Sequence, residues 1–248
     1  WIERLAPRLL ALRARRGKED AARLNERLGR PSIPRPSGPL VWLHGVSVGE
    51  SLSLLPVIAR LRAERPEVAI LVTSGTVTSA RILAERLPPD VIHQYAPVDG
   101  PLATARFLNH WRPSLGVLVE SELWPNLIGA ARERGVKLAL ISARITERTA
   151  QGWGRMRGAA RSLLSAFDLI LPQDDASAAR IEALGGRVQG RANLKLAGRP
   201  LGHDKGAFEQ LSAAIGDRSV VLAASTHPGE ERAIARALDA MDEPPFLI

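Results

Sequence analysis

Cysteine is absent from this 248-residue chain, which excludes disulfide bonds and thiolate metal sites and suits the cytoplasm. Long apolar runs are absent too. Because a membrane-spanning helix needs about 18 or more consecutive apolar residues, no transmembrane segment is predicted. Aromatic residues make up only 4% of the chain, and no nucleic-acid-binding module is recognisable. Both facts weigh against a nucleic-acid-binding protein, which often stacks bases on aromatic rings.

Several familiar catalytic motifs are missing as well. The chain has no G-x-G-x-x-G dinucleotide fingerprint, no G-K-[ST] phosphate loop, no H-E-x-x-H and no G-x-S-x-G. Hydride transfer, P-loop hydrolysis and zinc chemistry therefore lose support, and carboxylates and arginines remain as candidate functional groups.

Positive charge is concentrated near the N-terminus. The formal net charge is +8, and residues 1–30 contain nine Arg or Lys against four Asp or Glu. An apolar helical face is predicted within this basic segment, although Pro7 should bend or end the helix. The face consists of Ile2, Leu5, Ala6, Leu9 and Leu10. It predicts either packing on the chain's own domain or attachment to an anionic membrane surface.

The proline-rich segment 29–39 reads as a linker, after which apolar runs alternate with helical patterns. This alternation predicts a Rossmann-like α/β domain with a parallel sheet. Strands are predicted at 40–44, 68–73, 91–95, 115–120, 136–141 and 167–171, and helices at 50–65, 77–87, 101–111, 123–134, 155–166 and 174–184. A further strand at 219–225 and a helix at 229–241 indicate the start of a second domain. The predicted organisation is a basic segment and linker (1–37), a first domain (38–200) and a second one (201–248).

Open parallel sheets bind ligands beyond the carboxyl ends of their strands, and polar loops follow five of the predicted strands. Glu50 follows the first strand in "GVSVGE" and begins a helix. This position predicts either a carboxylate that lines the cleft or a first-turn residue that interacts with the helix dipole. Such an interaction contributes roughly 0.3 to 1 kcal/mol.

Two further loops supply charged candidates. Glu120 and Glu122 in "ESELWPN" are two residues apart, so that in an extended strand both point the same way. One of them lines the cleft while the other caps a helix, or both are solvated. Arg144 and Arg148 follow the fifth strand, and they either bind an anionic group or pair with Glu147 at the surface.

"ASTHPGEE" at 224–231 is another strand-to-helix turn. The hydroxyls of Ser225 and Thr226 make it better suited than the Glu50 loop to hold phosphate, because they are uncharged donors at a helix start. His227 alone is weak evidence of catalysis, and Trp124 is interpreted as a packing residue.

Taken in order, "HGVSVGE", "ESELWPNLI", "SARITERTAQGW" and "ASTHPGEE" resemble the 3-deoxy-D-manno-octulosonic acid (Kdo) transferases, the glycosyltransferases of bacterial lipid A synthesis. The resemblance covers roughly residues 40 to 232. It implies a GT-B architecture, in which an N-terminal Rossmann-like domain receives the lipid A precursor and a second one holds CMP-Kdo. It also implies work at the cytoplasmic face of the inner membrane, with no metal or other cofactor.

The same resemblance implies roles for single residues. Glu50 becomes the general base that deprotonates the acceptor hydroxyl. The residues implied on the acceptor side are Gly45, Ser47, Gly49, Glu120, Arg144 and Arg148, and those implied on the donor side are Lys195, Ser225, Thr226 and Glu230.

The chain also departs from the family pattern. Ser79 stands where the family commonly has glycine, and the acidic residue expected after Lys195 is missing. Later donor motifs of the family do not follow residue 248, so we expect this chain alone to turn over little or nothing. Two alternatives remain open at this point: another GT-B nucleotide-sugar transferase or epimerase, and a basic nucleic-acid-binding α/β protein.

Overall fold

The computed structural model describes residues 2–121, 123–197 and 203–248. The chain divides into two compact units, Trp1–Arg199 and Pro200–Ile248, and each is described here by itself. The basic segment predicted at 1–37 belongs to the first unit. Glu122, one of the predicted cleft carboxylates, lies outside the described residues.

Six short strands form one sheet in the first unit, as the sequence predicts. They are β1 (Leu40–His44), β2 (Ala69–Ser74), β3 (Ile92–Tyr95), β4 (Leu115–Val119), β5 (Lys137–Ala143) and β6 (Leu169–Pro172). All pairings are parallel, in the spatial order β3-β2-β1-β4-β5-β6. The strand order reverses between β1 and β4, and ligands bind such sheets in the crevice at this reversal. We call the side where the strands end the carboxyl edge.

Helices connect these strands. They are α1 (Ile2–Arg15), α2 (Leu24–Arg27), α3 (Val48–Ser53), α4 (Leu55–Glu64), α5 (Val77–Arg86), α6 (Pro101–Trp111), α7 (Pro125–Glu133), α8 (Glu147–Gly154), α9 (Arg157–Leu164) and α10 (Asp175–Ala183). Four of them begin where a side-chain oxygen accepts a hydrogen bond from the backbone N–H three residues later, which is the preferred N-cap arrangement. The capping residues are Ser47, Thr76, Thr146 and Asp174.

Apolar side chains cover both faces of the sheet because successive residues of a strand point to opposite sides. On β1, Leu40 and Trp42 join one buried cluster, which also contains Phe107 of α6. Leu43 joins a second cluster together with Ile58 of α4. Burying a large apolar side chain contributes roughly 1.5 to 3 kcal/mol, so these two clusters hold the scaffold that positions the carboxyl edge.

The basic segment is built into the fold through a buried carboxylate. Glu26 Oε2 accepts hydrogen bonds from the backbone N–H of Tyr95 (2.8 Å) and from Arg23 Nη2 (2.8 Å). The Arg23 guanidinium lies over the Tyr95 ring and donates to the carbonyl oxygen of His93 (3.0 Å). Burial, and then the charge of Arg23, lower the pKa of His93 to about 4. Because β3 is an edge strand, this network satisfies backbone groups that would otherwise lack a partner.

The second unit is smaller, and none of residues 203–248 is fully buried. It contains α11 (Lys205–Ile215), α12 (Glu230–Asp239) and a two-stranded parallel pair, β7 (Val220–Val221) with β8 (Phe246–Leu247). The helix predicted at 229–241 is confirmed. The strand predicted at 219–225 is longer than the observed β7, because its partner β8 offers only two residues for pairing.

Three sequence predictions of helices were wrong in detail. The predicted helix 50–65 is two helices, α3 and α4, because Pro56 in the first turn of α4 has no N–H to donate back to α3. Helix α8 precedes α9 and was not predicted, since two glycines weaken its pattern. Helix α1 continues through Pro7, where a bend or an end was expected. Within the described residues, no helix has both the length and the apolar character to cross a bilayer.

Candidate active site

Glu50 lies at the carboxyl edge, in the first turn of α3, directly after β1. Its side chain is buried, with 8% of the residue exposed. The Val46 N–H donates to Oε2 (2.8 Å) and the Ser47 hydroxyl donates to Oε1 (2.6 Å), while Ser47 Oγ accepts from the Glu50 N–H (3.3 Å). This reciprocal arrangement resembles a capping box, except that the carboxylate accepts from the N–H of the residue before the N-cap. The first-turn role considered from the sequence is therefore present, in a carboxylate that is also buried.

The two glycines of the Glu50 turn have different surroundings. A Cβ atom at Gly45 would lie 3.0 Å from the Glu50 Cβ, so only glycine fits comfortably there. A Cβ atom at Gly49 would meet no protein atom within 4 Å. Packing within the protein therefore requires glycine at position 45 and leaves open space at position 49.

The loop after β2 is tied to the Glu50 turn. The Val46 carbonyl oxygen accepts hydrogen bonds from the Gly75 N–H (3.2 Å) and the Ser79 hydroxyl (3.1 Å). Ser79 also contacts Thr76 Oγ1 (2.6 Å), the N-cap of α5. Ser79 thus joins two neighbouring loops of the carboxyl edge.

Trp42, His44 and Trp124 form an aromatic cluster next to the site. Sequence reasoning did not single out His44. His44 Nδ1 lies 2.8 Å from Thr73 Oγ1, and the Trp42 indole N–H donates to the same hydroxyl (2.8 Å). The His44 and Trp124 rings meet edge to face, with centroids 5.5 Å apart. Trp124, half-buried against the first apolar cluster, is confirmed as a packing residue. The sequence did hold one signal for His44, because this polar residue ends a buried strand.

Glu120 and Lys195 form an ion pair at the end of β4. Lys195 Nζ lies 2.6 Å from Glu120 Oε1, and the Glu120 side chain is 12% exposed. Lys195 belongs to a 3₁₀ turn, Leu194–Ala197, in the first unit. The structure therefore brings a residue implied on the donor side together with one implied on the acceptor side. Sequence reasoning did not find this pair because the two residues are far apart in the chain.

Arg144 and Arg148 are exposed, at and after the end of β5. The Arg144 backbone is attached to the β4 loop, because its N–H donates to the Glu120 carbonyl oxygen (3.4 Å) and its carbonyl oxygen accepts from the Ser121 hydroxyl (2.5 Å). Among the described residues, neither guanidinium has an ion-pair partner, and the pairing with Glu147 considered from the sequence is not formed. Both cations are therefore available for an anionic group.

The candidates of the second unit occupy the turn before α12. The Thr226 hydroxyl donates to the Glu231 carboxylate, and the His227 N–H donates to Glu230 Oε2 (2.8 Å). The hydrogen bond from Thr226 is the main cause of the lowered pKa of Glu231. Ser225 is exposed and has a left-handed backbone, with φ of 58°. Of the two hydroxyls expected to hold phosphate, that of Thr226 is thus engaged by a glutamate of the helix, whereas that of Ser225 is exposed.

The described residues contain no group of three or more His, Asp or Glu side chains arranged to hold a metal ion. The carboxylates of the carboxyl edge are instead held by hydroxyl, backbone N–H and ammonium groups.

Comparison with known proteins decides the family. Residues 22–197 match the family model described as 3-deoxy-D-manno-octulosonic-acid transferase (kdotransferase), which is well over half of the chain. The chain belongs to the Kdo transferase family. The matched region contains Glu50, Glu120, Arg144, Arg148 and Lys195, whereas the turn before α12 lies beyond it.

Curated Kdo transferases agree with this placement. The chain is 36% identical over 227 residues to a probable mitochondrial 3-deoxy-D-manno-octulosonic acid transferase of Arabidopsis thaliana, covering 88% of this chain and 51% of that protein. It is 34% identical over 219 residues to the Rickettsia bellii enzyme (88% and 52%) and 30% identical over 241 residues to that of Haemophilus influenzae (94% and 55%). The chain thus spans about half the length of the curated relatives it matches.

Solved structures support the fold class of this Kdo transferase family member. A UDP-GlcNAc 2-epimerase from Neisseria meningitidis, bound to UDP-GlcNAc, matches with a TM-score of 0.55 at 13% identity, covering 84% of this chain and 64% of that one. Another UDP-N-acetylglucosamine 2-epimerase matches with a TM-score of 0.56 at 13% identity, covering 84% and 62%. The GT-B fold class predicted from the sequence is confirmed. At such low identity the likeness concerns the fold alone.

Proposed function

We propose that this chain provides the acceptor side of an inverting glycosyltransferase that moves Kdo from CMP-Kdo to a lipid A precursor, with Glu50 as the general base. One observation carries the assignment of the base. The Glu50 carboxylate is buried at the carboxyl edge, and within the described part of the chain it accepts hydrogen bonds from two uncharged donors only. A carboxylate offers about four lone-pair sites, so capacity remains for the hydrogen of a substrate hydroxyl.

The proposed reaction needs one proton acceptor and one leaving group. Glu50 accepts the proton of the acceptor hydroxyl as that oxygen attacks the anomeric carbon of Kdo. The new carbon–oxygen bond forms on the face opposite to CMP, the bond to the CMP phosphate breaks, and CMP leaves with the bonding electron pair. The hydrogen bonds from Val46 and Ser47 fix the orientation of the carboxylate before substrate arrives. No resident metal or cofactor is part of this proposal.

The remaining candidates divide between acceptor and donor. Gly45, Ser47 and Gly49 shape the Glu50 turn, and the open space at Gly49 suits close approach of a sugar. The exposed guanidinium groups of Arg144 and Arg148 suit phosphate groups of the acceptor, which arginine binds with paired donors. The ion pair with Glu120 favours an acceptor-side role for Lys195 in place of the implied donor-side role. The donor-side roles of Ser225, Thr226 and Glu230 rest on the sequence resemblance.

We further propose that the basic segment attaches the protein to the anionic cytoplasmic face of the inner membrane. Ala6 and Leu10 of α1 are buried, whereas Leu5, Leu9 and Leu12 are exposed at helical spacing on an adjacent stripe. Four exposed arginines of the segment surround this stripe, namely Arg8, Arg13, Arg15 and Arg16. Each basic residue near an anionic surface adds about 1 kcal/mol, and the leucines supply apolar contact.

Flotation with vesicles tests the membrane proposal. We expect the 248-residue chain to float with phosphatidylglycerol vesicles at low salt and to lose most of this binding in high salt. Replacing Leu5, Leu9 and Leu12 with serine should abolish it, whereas Leu222→Ser, at an exposed leucine of the second unit, should not. Binding that is indifferent to salt and to the α1 leucines would contradict the proposal.

Transfer of radiolabelled Kdo from CMP-Kdo to a lipid A precursor tests the reaction. We expect the full-length gene product to transfer Kdo from CMP-Kdo, and to transfer no GlcNAc when radiolabelled UDP-GlcNAc is supplied instead. A folded Glu50→Ala protein that keeps near-normal turnover would remove Glu50 as the base. That the 248-residue chain alone turns over little or nothing stays a prediction, and measurable transfer by it would contradict that prediction.

A further inference from the structure

Two neighbouring strands end in a backbone conformation that is unfavourable for the residues they carry. Glu120 follows β4 with φ of 63°, and Ser142 lies in β5 with φ of 52°. Left-handed conformations are unfavourable for a residue with a Cβ atom, and such strain persists only where the surrounding structure enforces it. Both outliers lie at the carboxyl edge.

The segment 189–197, which we call the strap, crosses the ends of three strands. Its hydrogen bonds run from β6 toward β4: the Gln189 N–H donates to the Ile170 carbonyl oxygen (3.2 Å) and the Ala192 N–H to that of Pro172 (3.0 Å). The Leu194 N–H then donates to Ser142 Oγ (2.8 Å), on β5. The next residue of the strap is Lys195, whose ammonium reaches Glu120 at the end of β4.

Ser142 is the point at which a side chain of the sheet holds the strap. It is 3% exposed and lies at a bulge, where the pairing of β5 with β6 shifts between Ile141 and Ala143. The left-handed backbone and the bulge together turn the strand end where the hydroxyl meets the strap. The strap residue Leu196 is 84% exposed, so the apolar packing of the turn comes from Leu194, which is partly buried against the second apolar cluster.

The backbone before Lys195 is therefore held by this hydrogen bond together with the packing of the Leu194 side chain. Lysine carries its charge on a flexible four-carbon stem, and half of this side chain is exposed. Exposed ion pairs contribute little stability on their own, because ordering the two side chains costs entropy. A backbone already fixed at Leu194 reduces that cost.

We propose that Ser142 is a positioning residue of the acceptor side: its hydroxyl fixes the strap at Leu194 and so holds the Lys195 ammonium on the Glu120 carboxylate. The structural part of the proposal, that the Ser142 hydroxyl holds Leu194 and thereby Lys195, concerns this chain alone. The kinetic consequence, a better-ordered acceptor site, rests on the proposed function.

Amide hydrogen exchange of the 248-residue chain, followed by NMR, tests the structural part. In Ser142→Ala we expect the Leu194 N–H to exchange at least about ten-fold faster, while the Ala192 N–H, bonded to Pro172, changes less than about two-fold. Ser142→Gly tolerates the left-handed backbone without supplying an acceptor, and should behave like alanine. Ser142→Asn tolerates the backbone and keeps an acceptor oxygen, and should restore protection. The control is Ser114→Ala, at a serine directly before β4, on the side of the sheet where the strands begin.

Steady-state kinetics of the full-length gene product test the consequence. We expect Ser142→Ala to raise KM for the lipid acceptor about ten-fold with kcat within about three-fold of wild type, and Ser142→Asn to reverse the rise. Unchanged exchange at Leu194 in the alanine variant, or an unchanged acceptor KM, would overturn the positioning role. If the wild type transfers no Kdo, the proposed function fails, and the exchange measurement alone decides the role of Ser142.

Discussion

Two strand-to-helix turns in this molecule make the same kinds of hydrogen bond and differ in their burial. In the turn before α3, a backbone N–H and the hydroxyl of Ser47 both donate to Glu50. In the turn before α12, a backbone N–H donates to Glu230 and the hydroxyl of Thr226 donates to Glu231. Glu50 is buried at the edge of a six-stranded sheet, whereas both glutamates of the second turn are exposed.

The difference shows that capping chemistry and site chemistry are separable. A glutamate in the first helical turn stabilises exposed backbone N–H groups wherever it occurs. Only burial limits the water around such a carboxylate and restricts its orientation, which is what a base for a substrate hydroxyl requires. From sequence alone, the second turn was the better anion site, but one of its two expected hydroxyl donors, Thr226, is already engaged by Glu231.

The largest expected effect separates the two turns by activity. In the full-length gene product, Glu50→Gln should lower kcat for Kdo transfer by about 10² to 10⁴-fold, the usual contribution of a general base. Glu231→Gln, the same change at the exposed turn, should leave kcat within about two-fold of wild type. Radiolabelled transfer measures both, and circular dichroism checks that both variants fold. Equal losses in the two variants would show that burial does not distinguish the turns.

A second effect concerns the buried side chain of His93 and the pH dependence of the free energy of unfolding. The pKa of His93 is about 4 in the folded protein, and it is about 6.5 in an unfolded chain. The unfolded chain binds the proton first, so stability is complete above pH 6.5 and is lost progressively between pH 6.5 and 4. The loss should reach about 3 kcal/mol, since each pKa unit corresponds to about 1.4 kcal/mol.

Tryptophan fluorescence during urea unfolding measures this loss, because all five tryptophans belong to the first unit. His93→Gln is the matched control, and its stability should depend less on pH across the same window. An identical pH profile in this variant would show that other groups, and not His93, cause the loss.

A third effect compares the hydroxyls of the two turns. Ser47→Ala removes an N-cap and one of two donors to a buried carboxylate, so the free energy of unfolding of the first unit should fall by about 1 to 2 kcal/mol. Thr226→Ala changes an exposed contact and should cost the second unit less than about 0.5 kcal/mol. Urea unfolding followed by tryptophan fluorescence reports the first value, and amide exchange of α12 reports the second. A larger loss at Thr226 would reverse the comparison.

The smallest effect concerns glycine and should have opposite signs in the two turns. Gly49→Ala fills open space within a helix, and should raise the free energy of unfolding by up to about 1 kcal/mol while it weakens acceptor binding. Gly229 has φ of 100°, so Gly229→Ala should strain the start of α12 and destabilise it by about 1 kcal/mol. Calorimetry with a lipid A precursor measures binding. Unchanged acceptor affinity in a folded Gly49→Ala protein would remove the proposed role of that open space.

Much of the first unit was predictable because its signals are local. Apolar runs rich in Val, Ile and Leu marked five of these strands, the apolar ends of VIHQY marked β3, and the crossover spacing predicted the parallel sheet. The split between α3 and α4 was readable in principle, because Pro56 cannot donate a backbone hydrogen bond. The family motifs also marked Glu50, Glu120 and Lys195 as candidates, although they did not indicate that the last two residues meet.

Other features depend on partners that no local pattern identifies. The basic segment looked separable, yet Glu26 joins it to Tyr95 on the edge strand. Ser142 has no sequence signature, because its left-handed backbone and its bond to Leu194 arise from a segment that returns after β6.

By itself, the sequence determined the alternation of strands and helices, the hydrogen-bonding groups of both capping turns and membership of the Kdo transferase family. These depend on residues that are close in the chain, so their physics is local. Only the tertiary structure decided that Glu50 is buried, that Lys195 meets Glu120 and that Arg23 and Glu26 of the basic segment bond to the edge strand β3. Burial and ion pairing depend on which distant segments pack together, and the whole fold sets that arrangement.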